Sequence, residues 1–329
     1  MKVLFTVNEV SAMINQGKKL LLAGDESLIR QLPAGQWIAG TIPYFMAEEG
    51  GLETKERLFV NEVPSYITDL KIKKYTADSV ANVYKDAPQN GFSVIIIPAF
   101  SRTHFSFALN APQYPNFATS QLIGWISGVH LDDLATQKPK VACGENTEIL
   151  DDGAVVMHIS LPASKYADIN IINIFNQGTG DTITFPADGF SATEAEINGK
   201  KMSFADYLTA NKIDTRLPLV ADYCGAMINI SIQTIDQQQN RVTFYAPVFK
   251  GVEYKIAAPI ADYITAFTKQ LPKGEAAQIF FSCNCILNYV YSELAGKKTG
   301  EVTGPITFGE IAYQLLNQTL AYISIKDLA

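Results

Sequence analysis

Positive charge is scarce in this sequence, and it is not clustered. The chain of 329 residues holds 26 lysines and arginines against 33 aspartates and glutamates, which gives a net charge of −7. Its densest basic stretch is only Lys-Ile-Lys-Lys, at residues 71–74. Proteins that bind nucleic acid or anionic membranes present much larger basic patches. We therefore predict no nucleic acid and no membrane surface among the partners.

Long apolar runs are absent as well. No uninterrupted run approaches the ~20 residues that a helix needs to cross a bilayer. Residues 1–19 also lack the apolar core and the small-residue cleavage site of a signal peptide. These two absences predict a cytoplasmic protein that does not insert into a membrane.

Cysteine is rare, and the cysteines present do not form a framework. Of the four, only Cys283 and Cys285 lie close together, which argues against a set of disulfides. His104, His130 and His158 stand singly, so no second ligand pair completes a zinc site. We predict no metal and no cofactor. The cysteine pair either packs in the core, as free cysteines usually do, or lines a pocket.

Catalytic and phosphate-binding motifs are missing too. The sequence has no Gly-x-Ser-x-Gly elbow, no His-Glu-x-x-His pair, no Walker A loop and no EF-hand. A nucleophile–base pair of Cys283 or Ser101 with His104 is conceivable. We therefore predict a protein that is not an enzyme, with a hydrolase that uses Cys283 as its nucleophile as the alternative.

What the sequence does contain is a large hydrophobic fraction of 47% with only 18% charged residues, which suits a well-packed core. The β-branched run within 92–100 predicts a strand buried on both faces. Further strands are predicted within 19–24, 36–46, 57–70, 153–162, 167–175 and 275–283. Helices are predicted at 7–16, 25–32, 76–87, 119–135, 203–213, 259–271 and 285–296.

The character of the sequence changes after residue 175. Up to this point helix-like and strand-like stretches alternate, whereas 176–208 carries closely spaced turn signals and 226–258 has the pattern of an antiparallel meander. We predict two domains, 1–175 and 176–329. The fold class is mixed α/β (α+β), with two packed mixed-sheet halves and helices on the sheet faces.

Polar groups follow two of the predicted buried strands. Ser282, Cys283 and Asn284 lie where a strand passes into a helix, and unpaired N–H groups and the helix dipole favour an anion there. Arg102 and His104 follow the strand at 92–100, and Arg102 offers a fork for a carboxylate. Ligands of open α/β sheets bind at such strand ends. The plainer alternatives are packed cysteines, a surface arginine and a structural histidine.

The stretch 304–311 contains the last candidate. Its pattern favours a strand, although Phe308 and Ile311 also fit one face of a helix. Gly309 suggests a close backbone approach, and it would aim the carboxylate of Glu310 from a constrained position. Glu310 then pairs either with a ligand amine or with a structural arginine.

Several stretches of the second half resemble the FIST sensory domain, whose two parts are called the N and C regions. These stretches are EINGKKMSFADYL (196–208), FYAPVFKGVEYKIA (244–257), IFFSC (279–283), GPITFGEI (304–311) and NQTL (317–320). The resemblance covers roughly residues 20–325. It implies an N-like domain at 1–175, a C-like domain at 176–329, and the sensing of small molecules, amino acids among them, for signal transduction.

The resemblance and the strand-end residues together predict a ligand pocket between the two halves. Arg102 and Glu310 would be its polar anchors, and Tyr44, Phe45 and Phe308 its apolar walls. An amino acid, with one carboxylate and one ammonium group, would use both anchors. The expected partners are a small-molecule ligand and a downstream signalling protein, while the oligomeric state is left open.

Overall fold

The structure is a computed structural model that describes all residues except 1, 118, 224, 272–278 and 329. The chain forms two compact units. Unit 1 comprises Met1–Ile171, Leu271–Leu315 and Leu320–Ala329, and unit 2 comprises Ile172–Gln270 and Leu316–Thr319. The first change of unit lies close to the predicted boundary after residue 175. The residues after Gln270 depart from the prediction, because all of them except Leu316–Thr319 belong to unit 1.

The protein is a mixed α/β structure in which strands outnumber helices. The helices are α1 (Val7–Asn15), α2 (Glu26–Ile29), α3 (Arg102–Asn110), α4 (Phe204–Ala210), α5 (Tyr263–Gln270) and α6 (Ile286–Tyr291). The strands up to residue 172 are β1 (Leu4–Phe5), β2 (Leu20–Gly24), β3 (Trp37–Thr41), β4 (Tyr44–Ala47), β5 (Gly50–Glu53), β6 (Leu58–Glu62), β7 (Asp69–Tyr75), β8 (Gly91–Pro98), β9 (Leu122–Ser127), β10 (Val141–Cys143), β11 (Glu148–Leu150), β12 (Ala154–Ser160) and β13 (Lys165–Ile172). The remaining strands are β14 (Ile183–Thr184), β15 (Gly189–Ala192), β16 (Glu194–Ile197), β17 (Lys200–Ser203), β18 (Leu219–Tyr223), β19 (Ala226–Ile230), β20 (Ile232–Asp236), β21 (Arg241–Val248), β22 (Tyr254–Ile256), β23 (Ile279–Cys285), β24 (Gly304–Thr307), β25 (Glu310–Ala312), β26 (Gln314–Leu316) and β27 (Leu320–Asp327).

Unit 1 is built on three six-stranded sheets. Sheet I has the order β1-β6-β2-β3-β10-β11, sheet II β26-β25-β9-β8-β12-β7, and sheet III β13-β27-β23-β24-β4-β5. At the centre of each sheet lies one parallel pair, β2–β3, β8–β9 or β23–β24. The chain between the two strands of each pair carries a helix, α2, α3 or α6 respectively. Each of the three sheets thus contains its own βαβ core.

The same three sheets are linked in a cycle. Each parallel pair has antiparallel neighbours on both sides, β6 and β10 in sheet I, β12 and β25 in sheet II, and β27 and β4 in sheet III. The strand after each βαβ core leaves its sheet: β3 is followed by β4 of sheet III, β9 by β10 of sheet I, and β24 by β25 of sheet II. This exchange explains why the C-terminal strands belong to unit 1.

Tight contacts join the three sheets of unit 1. The indole of Trp125 in sheet II stacks on the ring of Phe281 in sheet III, with centroids 5.2 Å apart. Gly40 in sheet I approaches the same indole so closely that a Cβ on it would lie 2.9 Å from Nε1 of Trp125. Phe45 of sheet III stacks on Phe59 of sheet I at 6.3 Å. The core of unit 1 is therefore shared by all three sheets.

Helix α1 shows how local sequence sets an element of unit 1. The side chain of Thr6 accepts a hydrogen bond from the N–H of Glu9, and the Glu9 carboxylate accepts one from the N–H of Thr6 at 2.8 Å. This reciprocal capping satisfies two N–H groups that the helix leaves unpaired. Val10 and Ile14 then pack into a core cluster with Leu22. Burying each such side chain contributes about 1.5–3 kcal/mol, and the predicted helix at 7–16 is confirmed.

Two predicted helices are wrong. Residues 119–135 contain strand β9 at Leu122–Ser127, which lies between β8 and β25, and a 3-10 turn at Leu131–Asp133. Its Gly124 approaches the carbonyl of Ile95 so closely that a side chain would not fit, which explains a glycine in the middle of a buried strand. Residues 76–87 contain only a 3-10 turn at Val80–Asn82. There the hydroxyl of Ser79 accepts a hydrogen bond from the N–H of Thr76, and such local hydrogen bonds compete with a regular helix.

Unit 2 is antiparallel throughout its described strand pairs. One sheet has the order β17-β16-β14-β22-β18-β19, and the other has the order β15-β21-β20. The strands predicted within 226–258 are antiparallel, but they do not form one meander, because β19 and β22 belong to the first sheet and β20 and β21 to the second. The predicted helix at Ser203 is confirmed, since Ser203 caps α4 through a hydrogen bond from the N–H of Asp206 at 3.1 Å. No helix in the described part of the chain is long and apolar enough to span a membrane.

Candidate functional site

The predicted ligand residues all belong to unit 1, so they do not define a pocket between two domains. They are Tyr44, Phe45, Arg102, His104, Ser282, Cys283, Asn284, Phe308 and Glu310. Of these residues, only Arg102 lines a surface cleft, Phe308 is half-buried, and the others are buried in the core.

Cys283 is a core residue. It is buried in β23, and its thiol donates a hydrogen bond to the carbonyl of Gly124 at 3.3 Å. Burial raises the pKa of this thiol well above its usual value, and the nearby Glu310 and Cys285 add to the effect. A catalytic cysteine needs the opposite setting, a partly exposed thiolate beside positive charge. The geometry therefore disfavours the Cys283 nucleophile.

Ser282 and Asn284 serve the strand–helix junction itself. The hydroxyl of Ser282 donates to the carbonyl of Thr303 at 2.8 Å. The side-chain oxygen of Asn284 accepts from the N–H of Cys285 at 2.8 Å and from the amide of Asn288 at 3.0 Å. The helix begins at Ile286, one residue after the predicted start at Cys285. These contacts are those of a buried structural turn.

Glu310 and Arg102 were predicted as the two polar anchors of one pocket, but only Arg102 lines a cleft. Glu310 has no exposed surface, and it lies opposite Trp125 in the antiparallel pair of β25 and β9. Arg102 is exposed at the start of α3. Phe308 is half-buried. Its ring lies 6.4 Å from the ring of Phe100 and fills the space that a side chain at Gly128 would need.

Tyr44 and Phe45 were predicted as the apolar walls of a pocket, but neither lines either of the two clefts. Phe45 is fully buried, and Tyr44 is nearly so. The hydroxyl of Tyr44 accepts a hydrogen bond from the N–H of Leu131 at 3.0 Å, and its ring stacks on His130 at 5.4 Å. Tyr44 thereby fixes the segment between β9 and β10, which shapes the clefts.

One cleft, called the main cleft because it is larger than the second one described next, lies at the carboxyl end of β8. Its volume is about 330 Å³. The lining residues are Ala99, Phe100, Ser101, Arg102, Leu134, Gln137, Lys138, Pro139, Asp151 and Asp152. A much smaller cleft of about 10 Å³ lies at the ends of β2, β3 and β9, and it shares Gln137 and Lys138. Strand ends of two sheets thus flank one surface, as the general rule for α/β sheets leads us to expect.

The first turn of α3 forms the floor of this cleft. The Ser101 hydroxyl accepts from the N–H of His104 at 3.0 Å and donates to the carbonyl of Pro98 at 2.8 Å. Asp152 accepts from the N–H of Thr103 at 3.0 Å and from the N–H of Gly153 at 2.8 Å. Burial acts to raise the pKa of Asp152, but these hydrogen bonds outweigh it and hold the pKa below its usual value.

The mouth of the cleft carries charges of both signs. Arg102 is exposed, and among the described residues it makes no salt bridge, although its charge helps to keep Asp152 ionised. Lys138 lies 3.5 Å from the carboxylate of Asp151, and both side chains are well exposed. Such an exposed pair contributes little to stability, so both groups can exchange partners readily. The cleft therefore offers two cations and one accessible carboxylate.

His104 supports the cleft from below. Its ring is buried, and its Nδ1 accepts a hydrogen bond from the N–H of Phe100 at 3.2 Å. Burial lowers the pKa of His104 to about 4, so the ring is neutral near pH 7. The role is structural, which was the plainer of the two alternatives that the sequence allowed.

Sequence reasoning missed most of the cleft. Phe100 lies within the run that predicted a strand, and Asp151 and Asp152 have the pattern of solvated loop residues. Leu134 and Lys138 fall in the region that was predicted as a helix followed by a loop. The one available signal was the strand end before Ser101, and Arg102, which follows it, lines the cleft.

Comparison with known proteins places the chain in a family. The model of DUF6976, a family of unknown function, matches residues 5–326, and the chain belongs to this family. No curated protein matches the chain. These findings do not test the resemblance to the FIST sensory domain, which stays a prediction.

Proposed function

We propose that the cleft at the carboxyl end of β8 binds a small metabolite that carries a carboxylate, such as an amino acid. The single observation that supports this most is Arg102, an exposed guanidinium on the cleft wall without a salt bridge to another described residue. Binding would leave the ligand unchanged. A partner protein would read the bound state, a step that rests on the resemblance to the FIST sensory domain.

The charges at the cleft suit a carboxylate. The guanidinium of Arg102 can donate two parallel hydrogen bonds to a carboxylate, a geometry that Lys138 supplements as a point charge. Both groups lie beside the first turn of α3, whose dipole also favours a negative charge. Asp151 is the accessible acceptor for a ligand ammonium group, whereas Asp152 is engaged by Thr103 and Gly153.

The size of the cleft limits the ligand. Small-molecule sites in proteins usually measure about 300–1,000 Å³, and this cleft of about 330 Å³ lies at the low end. An amino acid or a short carboxylic acid fits such a space.

The proposal is tested by ligand-induced stabilisation. A ligand at 100 times its dissociation constant stabilises the native state by about 2.7 kcal/mol, which raises the unfolding temperature by several degrees. We expect this rise with amino acids or small carboxylates, its loss in Arg102→Ala, and its retention in Arg57→Ala. Arg57 is the matched control, because it is an exposed arginine that lines neither cleft.

The alternative hydrolase is separated by the fate of the ligand. A binder returns the ligand intact after prolonged incubation, and Cys283→Ala binds it as the wild type does. Consumption of the ligand that stops in Cys283→Ala would refute the proposal and support the hydrolase. A full thermal response in Arg102→Ala would instead show that the site lies elsewhere.

A further inference from the structure

We propose that Phe100 makes this cleft selective for ligands in which a carboxylate is joined to an aromatic ring. The ring of the ligand would lie against Phe100 while its carboxylate binds Arg102, two residues further along the chain. This inference rests on the proposed function and adds to it the chemical class of the ligand. Four features of the cleft carry it.

The first feature is the backbone of Phe100. Its φ is +64°, in the left-handed region that bulky residues rarely adopt. Such a conformation is held only where the surroundings determine it, and it is found preferentially at functional sites. The ring gains little in return, because 49% of the residue is exposed. Folding alone therefore does not explain a phenylalanine at this position.

The second feature appears when the three βαβ cores are compared. In sheet I the cap Asp25 follows β2 directly, and in sheet III the cap Cys285 is itself the last residue of β23. In sheet II two extra residues, Ala99 and Phe100, stand between the end of β8 and the cap Ser101. Only this junction, among the three, projects an aromatic side chain between strand and helix, and it is the one that forms the main cleft.

The third feature is the support around Phe100. The N–H of Phe100 donates to Nδ1 of His104 at 3.2 Å, and the following Ser101 is tied to Pro98 at 2.8 Å. The ring itself meets Phe308 edge-on, with centroids 6.4 Å apart and planes at 68°. The ring is thus held from behind while its remaining surface faces the cleft and solvent. A preorganised aromatic surface costs a ligand little entropy to use.

The fourth feature is the composition of the walls. Leu134 also lines the cleft, and 42% of it is exposed. Phe100 and Leu134 provide apolar surface, while Arg102 and Lys138 provide positive charge. An aromatic carboxylate matches both parts, since its ring can stack or meet the Phe100 ring edge-on while its carboxylate is paired. Acetate, which has the same charge and almost no apolar surface, would use only the cations.

The test compares phenylacetate with acetate by isothermal titration calorimetry, with cyclohexylacetate as a saturated ligand of similar size. We expect the wild type to bind phenylacetate at least tenfold more tightly than acetate. Phe100→Ala should weaken phenylacetate binding about tenfold and leave acetate binding unchanged. Phe100→Trp should keep the preference, which guards against a loss caused by altered folding.

Tyr166→Ala is the control, because Tyr166 is an exposed aromatic residue of β13 that does not line the cleft. It should bind all three ligands as the wild type does. Equal binding of acetate and phenylacetate, both weakened by Arg102→Ala, would overturn the role of Phe100 and leave the proposed function standing. Equal binding of phenylacetate and cyclohexylacetate would overturn the aromatic preference. Failure of all three ligands to bind would overturn the role of Phe100, and loss of any thermal response to amino acids as well would overturn the proposed function.

Discussion

The main-chain N–H of Phe100 donates a hydrogen bond to Nδ1 of His104, 3.2 Å away. This one contact joins an exposed, strained aromatic residue to a buried imidazole. It requires that Nδ1 of His104 carry no proton, because only an unprotonated ring nitrogen can accept. The protonation of the histidines is therefore coupled to the stability of the first unit.

Stability should fall as the pH is lowered from about 6.5 to about 4. Burial lowers the pKa of His104 to about 4 and that of His158 to about 4. In the unfolded chain histidine titrates near 6.5, so the unfolded state binds more protons within this window. The free energy of unfolding should then drop by on the order of 1 kcal/mol per pH unit for each histidine.

Urea unfolding at pH 7, 6 and 5 measures this slope, and His158→Gln supplies the comparison. The variant should be less stable at pH 7, since both ring nitrogens of His158 have partners, Ser93 at 2.7 Å and Tyr75 at 2.9 Å. Its pH slope between 6 and 5 should be shallower than that of the wild type. An identical slope would show that His158 does not contribute.

Gly40→Ala should destabilise the fold. The added methyl group would lie 2.7 Å from Cγ2 of Ile96 and 2.9 Å from Nε1 of Trp125, where the sheets of unit 1 meet. Overpacking of this kind costs about 1–3 kcal/mol. Gly180→Ala is the control, because nothing lies within 4 Å of a side chain there. Equal midpoints of chemical denaturation in the two variants would contradict the tight contact at Gly40.

Cys283 should resist thiol reagents in the native state. Its side chain is buried, and burial raises the pKa of the thiol well above its usual value. Labelling of Cys283 with a maleimide, followed on its own peptide by mass spectrometry, should occur only when the protein unfolds, so its rate should rise with urea in parallel with unfolding. Cys283→Ala should lose about 1 kcal/mol or more through the cavity it leaves, and it should bind ligand normally. Rapid labelling in native buffer would contradict the buried thiol.

Phe100→Gly should be more stable than Phe100→Ala. Both remove the ring, but only glycine adopts a φ of +64° without strain. The expected difference is about 1 kcal/mol in the free energy of unfolding, measured by urea denaturation at pH 7. Equal stability of the two variants would mean that the backbone relaxes from the left-handed region once the ring is gone.

Local signals in the sequence predicted the elements that short-range contacts determine. The helix starts predicted at Asp25 and Ser203 were correct, because a capping side chain acts on N–H groups only two or three residues away. The continuous apolar run within 92–100 was correctly interpreted as a strand buried on both faces. It is β8, the partner of both β9 and β12.

Long-range contacts decided the rest. Strand β9 was mistaken for a helix because a short apolar run fits either period, and its pairing with β8 and β25 settles the choice. The three βαβ cores have different sequences and crossovers of different lengths, so no repeat is visible along the chain. Glu310 was predicted to contact a ligand because the sequence indicates its strand but not its neighbour in the sheet, Trp125 of β9.

A crystal structure of the protein with phenylacetate tests the central claim most directly. We expect the two carboxylate oxygens about 2.7–3.2 Å from the guanidinium nitrogens of Arg102, and the phenyl ring against Phe100. Phenylacetate bound at another place, with only solvent beside Arg102, would contradict the account.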